Sequence, residues 1–83
     1  MDKLRARFSK SPPPTDFKWI DLVCLLESIG FHVENGQGSR RCLVGHFNGV
    51  ERRINVHEPH PSGIVKRYVI REISQKLLDW HLK

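Results

Sequence analysis

Residues 31–57 read FHVENGQGSRRCLVGHFNGVERRINVH, and their alternation decides the fold. Phe31-His32-Val33-Glu34 alternates apolar and polar side chains, the mark of a half-buried strand. Asn35 to Ser39 follows as a loop with two glycines. Arg40 to Phe47 and Val50 to His57 are a second and third strand, and Asn48-Gly49 between them is a strong hairpin signal. Side chains change face at every residue of a strand. Arg41, Leu43, Gly45 and Phe47 therefore share one face of the second strand, and Arg40, Cys42, Val44 and His46 the other. In the third strand Ile54 and Val56 oppose Arg53, Asn55 and His57. The sheet is expected to turn one face to helices and a basic, histidine-bearing face to water.

Helices flank this meander on both sides. From Trp19 to Ile29 the period is helical, with Trp19, Leu22, Val23, Leu25, Leu26 and Ile29 on one broad face. Cys24 falls on the polar side, and Gly30 is placed to end the helix. After the third strand, Glu58 to Gly63 (EPHPSG) is a stiff loop between prolines. Val65 to Trp80 then reads as a helix that buries Val69, Ile70, Ile73, Leu77 and Trp80 and exposes Arg67, Arg71 and Gln75. The expected class is α+β, a three-stranded antiparallel sheet with two helices packed on one face. Residues 1–16 form a short basic and proline-rich N-terminal extension, and 17–83 the domain itself. In the extension Asp2 can cap a helical turn that puts Leu4 and Phe8 on one side, before Pro12-Pro13-Pro14 stops it. It reads either as a fraying terminus or as a basic arm for RNA or a partner.

The composition narrows the function. An 83-residue chain is one domain, with no room for separate cofactor and substrate domains. No apolar run reaches the roughly 18 residues of a membrane span, and no apolar stretch follows the N-terminal charges as in a signal peptide. Two cysteines cannot make a disulfide framework, so the expected compartment is a reducing cytoplasm. Fourteen Lys and Arg against nine Asp and Glu give a net charge of +5, which favours a polyanionic partner. Arg40, Arg41, Arg52, Arg53, Lys66, Arg67 and Arg71 all fall after the first helix, on or beside the sheet, as a phosphate-binding field requires.

Histidine supplies the possible chemistry. His57 and His60 flank Glu58-Pro59. RNA cleavage without metal needs a base for the 2′-hydroxyl proton and an acid for the departing 5′-oxygen. Imidazole, with an ordinary pKa of about 6.5, can do either near neutral pH. The bland alternative is that both histidines only hold the loop. A zinc site from His57, His60, Cys24 and Cys42 has suitable atoms but not a finger's spacing. No metal and no small-molecule cofactor is expected.

Several short motifs, taken in order, resemble the HicA family of bacterial toxins, the mRNA-cleaving partners of HicA–HicB toxin–antitoxin pairs. They are Trp19-x-Asp21-Leu22-x-x-Leu25-Leu26, Ile29-Gly30, Gly36-x-Gly38-Ser39-Arg40 and His57-Glu58-Pro59-His60-Pro61, followed by a helix near Tyr68-Val69-Ile70. They span Trp19 to about Trp80, three-quarters of the chain. The resemblance implies a fold like the double-stranded-RNA-binding domain, α-β-β-β-α, which agrees with the order read from the residues. It implies a bacterial endoribonuclease, independent of metal, that cuts mRNA and is silenced by a HicB-like antitoxin. The family's usual Gly-Ser-His is Gly38-Ser39-Arg40 here, and arginine cannot act as a general base. On this reading Arg40 clamps the reacting phosphate and His60 and His57 move protons. Gly38 and Ser39 offer donors to phosphate, while Arg41, Lys66, Arg67 and Arg71 hold and steer the strand. With no aromatic residue on the outer strand face, phosphate and 2′-hydroxyl contacts are expected to outweigh stacking. Two other classes fit the same basic face: an RNA-binding module without catalysis, and a domain that docks an acidic protein.

Overall fold

The computed structural model describes residues 2–59 and 62–82. Along the chain come α1 (Asp2–Phe8), α2 (Trp19–Ile29), β1 (Phe31–Asn35), β2 (Arg40–Phe47), β3 (Val50–His57) and α3 (Arg67–Asp79). The strands make one antiparallel sheet in the order β1-β2-β3, and the fold is α+β. Asn48 and Gly49 both take positive φ, 52° and 79°, as a two-residue hairpin turn demands. That turn fixes the register from Phe47 opposite Val50 to Arg40 opposite His57 with no slip.

Both long helices lie on one face of the sheet. Leu22, Leu25 and Leu26 of α2 and Ile70, Ile73 and Leu77 of α3 form a single buried cluster with Phe31, Leu43 and Ile54 from the strands. Each such side chain contributes about 1.5–3 kcal/mol by leaving water. Among the described residues no helix lies over the opposite sheet face. Val44 is nonetheless buried there, because the longer side chains of His32 and Arg53 stand directly across from it on the two neighbouring strands.

Two expectations change. α3 begins at Arg67 rather than Val65. Val65 donates its N–H to the Phe17 carbonyl at 2.8 Å, Ile64 bridges Lys18, and Trp19 donates to the Gly63 carbonyl at 2.8 Å. These residues are held extended by the strand-like contact, and a helix cannot start until they are past it. Nor do residues 2–16 behave as a fraying terminus. Phe8 is buried with its ring edge-on to Phe17 at 5.8 Å, and Leu4 packs on the same core. Arg7 donates to Asp16 at 2.6 Å and lies over the Phe17 ring. The proline block returns the chain to the domain, with Pro13 itself buried. No helix of the described residues is long and apolar enough to cross a membrane.

One contact between α2 and the sheet is unusually close. A Cβ at Gly45 would stand 2.7 Å from Phe47 Cε2 and 3.0 Å from the carbonyl oxygen of Gly30, the residue that ends α2. The Phe47 ring in turn lies 5.1 Å from that of Phe31. Gly45→Ala is therefore expected to overpack this corner and cost about 1–3 kcal/mol, read by urea denaturation. An unchanged midpoint would mean that the Phe47 ring swings aside freely.

Candidate nucleic-acid and catalytic site

Three of the sequence-predicted residues, Ser39, Arg40 and His57, meet at the far end of the hairpin from its turn. Arg40 and His57 are direct cross-strand partners, and both are exposed on the helix-free face. Ser39, just before β2, shares a hydrogen bond of 3.3 Å between its Oγ and His57 Nδ1. The two chain segments are also tied through their backbone, since Glu58 donates its N–H to the Ser39 carbonyl at 2.7 Å. A hollow of about 370 Å³ opens beside them, bordered by Glu34, Gly36, Arg40, Cys42, Asn55 and His57. An exposed guanidinium can bind a phosphodiester bidentately, and an exposed imidazole on the neighbouring strand can take a proton from, or give one to, an oxygen beside it.

Arg41 is placed differently. By alternation it faces the helix side, where its Nε donates to Glu58 Oε1 at 3.1 Å. Its Nη1 donates to the carbonyls of Gly38, at 2.9 Å, and Arg40, at 2.8 Å. Arg41 and Glu58 are both largely shielded from solvent. The arginine thus braces the loop that presents Ser39 and Arg40, and Gly38 contributes its carbonyl to that brace.

The other cations do not form one field. Arg53 is 2.8 Å from Glu51, which is also 3.5 Å from His46. The hydrogen bond and charge of Arg53 hold the Glu51 carboxyl below its usual range, and Glu51 raises Arg53 in turn. Arg53 therefore already has a carboxylate partner on its own strand. Arg52 points to the helix side, over the Trp80 ring at 5.3 Å. Lys66 lines a second hollow that also contains His57. Arg67 is exposed at the first residue of α3. Arg71 borders a separate hollow beside α1, with Lys10 and Pro13, so it is not brought to the His57 end. His60 lies outside the described residues.

Cys24 and Cys42 are free thiols, one on α2 and one on β2. Among the described residues no three His, Cys, Asp or Glu side chains converge as a metal site would require. Neither the brace that Glu58 makes nor the exposed ring of Tyr68 follows from strand alternation or helical period. Tyr68 had a signal, an aromatic residue directly after Lys66-Arg67, yet helical periodicity alone assigns it no role.

No family model, curated protein or solved structure matches this chain. Its fold and side chains define a small α+β domain with an open sheet face and a paired Arg and His at one edge.

Proposed function

We propose that the protein is an endoribonuclease of the HicA toxin type, which cuts mRNA in the bacterial cytoplasm and is held silent by a HicB-like antitoxin. The observation that carries this reading is the cross-strand pair of Arg40 and His57, with Ser39 Oγ 3.3 Å from His57 Nδ1. When Nδ1–H donates to Ser39, the lone pair a base needs is on Nε2. His57 then takes the 2′-hydroxyl proton, the 2′-oxygen attacks phosphorus, and the bond to the 5′-oxygen breaks. A second proton donor completes the step at the leaving oxygen, and His60 is the candidate that the sequence supplies. Arg40 meets the negative charge that grows on the phosphoryl oxygens. The products are a 2′,3′-cyclic phosphate and a 5′-hydroxyl. A HicB-like partner would block this end by covering it with acidic side chains.

The competing reading is an RNA-binding domain without turnover, favoured by arginine at the position where the family has its histidine. Incubating the purified protein with single-stranded mRNA fragments in excess chelator separates the two. New 5′-hydroxyl ends are expected, and binding without any cleavage would leave only the competing reading.

RNA affinity is also expected to fall linearly on a log–log plot against salt, by a slope of about 0.7 for each phosphate contacted on a single strand. Arg40→Ala should make the plot shallower by about one contact. Arg53→Ala should leave it unchanged, because Glu51 already holds that guanidinium. A slope that responded to Arg53 and not to Arg40 would put the phosphate path across the middle of the sheet instead.

A further inference from the structure

The most exposed aromatic ring in the protein stands beside the candidate catalytic end. Tyr68, the second residue of α3, is 57% exposed, although an aromatic ring left in water contributes nothing to folding. Two adjoining hollows meet at it, and His57 and Val69 border both. The hollow toward α2, about 230 Å³, is walled by Trp19 and Pro59 and carries Lys66 at its rim. Glu58 also lines it, but that carboxylate is already paired with Arg41. The other hollow carries both Glu72 and Lys76 and lacks a second aromatic wall. The backbone on one side of the first hollow is held by the bonds from Trp19 to Gly63 and from Val65 to Phe17. Its volume is below the roughly 300–1,000 Å³ of pockets that enclose drug-sized ligands, and suits a single planar heterocycle.

We propose that this hollow is a nucleobase subsite, in which an unpaired base of the RNA strand stacks on Tyr68 against the Trp19 wall. Lys66 attracts that nucleotide's phosphate, and the RNA strand rounds the edge of β3 at His57, which borders the hollow while its imidazole faces the helix-free side where the bond is cut. The assignment rests on the nuclease reading and narrows its substrate to single-stranded RNA. A base locked in a duplex keeps its faces against its neighbours and cannot enter. It also changes the expectation that stacking matters little, because the aromatic surface comes from a helix start and not from a strand.

The test uses Tyr68→Ala and Tyr68→Phe in the full chain, with a single-stranded RNA and a fully paired duplex of the same sequence. Tyr68→Ala is expected to weaken single-strand binding by about 5- to 160-fold, the effect of losing one base stack, and to leave duplex binding unchanged. Tyr68→Phe keeps the ring and should bind as the wild type does. A second readout comes from tryptophan emission. Trp80 sits at the opposite end of α3, so Trp80→Phe leaves Trp19 as the only reporter. Single-stranded RNA should quench it, and duplex should not. Wild-type affinity in Tyr68→Ala, or equal quenching by duplex, overturns the subsite while RNA binding itself stands. Absence of all RNA binding by the wild type at low salt overturns the nuclease reading, and the subsite with it.

Discussion

A His57→Ala variant is expected to cleave RNA about 10²–10⁴-fold more slowly than the wild type, the usual contribution of a general acid or base. Its melting temperature should be almost unchanged. The side chain is exposed, and its recorded partner is the hydroxyl of Ser39. The strand it ends is held by the register with β2 and by the bond from Glu58 to Ser39, neither of which uses the imidazole. Turnover and stability are therefore expected to separate, and that separation matters. If His57 only anchored the loop, both would fall together. Ser39→Ala tests the same geometry one step away. It leaves the imidazole in place but frees its orientation, so it should lower the turnover number by less than His57→Ala does, with no more loss of RNA affinity than one hydroxyl contact to phosphate implies. Arg40→Ala should lose turnover by about 10²–10³-fold, as when a single transition-state donor is removed, with the modest loss of affinity that one phosphate contact implies. Undiminished cleavage by His57→Ala would remove it from the mechanism and, if His60→Ala were then inactive, give the whole proton transfer to the neighbouring loop.

The strands were legible because their signals are local. Asn48-Gly49 dictates a turn that admits only one register, and alternation on either side then assigns every face. The meeting of Arg40 with His57 follows from counting outward along that hairpin. Charge was less legible. Seven basic residues from Arg40 to Arg71 suggest one field, but a count along the chain ignores where the carboxylates go. Glu51 takes Arg53, Glu58 takes Arg41, and the Trp80 ring takes Arg52. Each of these pairings is set by sheet facing or by a chain reversal, and neither is visible in composition. The start of α3 fails for a related reason. Ile64 and Val65 continue the apolar periodicity of a helix, but a partner far away in sequence, Phe17 to Trp19, holds them extended. The N-terminal segment illustrates the same limit: pairing Leu4 with Phe8 on one side of a turn was readable, whereas the buried aromatic partner that secures it was not.

That partner leads to the largest stability effect expected outside the two main helices. Phe8→Ala should destabilise the protein by about 3–5 kcal/mol, the range for removing a buried aromatic ring. In a domain whose whole stability is on the order of 5–15 kcal/mol, such a loss is severe. The value should fall toward the lower end. Phe8 borders a mostly apolar hollow of about 210 Å³ between α1, α2 and the end of α3, lined also by Leu25, Ile29, Leu77 and Leu82, so its surroundings have space in which to collapse. Phe17→Ala should cost more. Its ring is fully buried, and it supports Phe8 by an edge contact and Arg7 by a cation–π contact. The two substitutions share that edge contact, so the double variant should lose less than the sum of the singles. Urea denaturation of the three variants measures this directly. A Phe8→Ala loss of no more than about 0.5 kcal/mol, as at an ordinary surface position, would mean that α1 is an appendage and that the domain begins near residue 17. A loss of several kcal/mol with sub-additive coupling would make the first helix part of the core, and any truncation that removed it would then expose Phe17 and unfold the sheet end that carries His57.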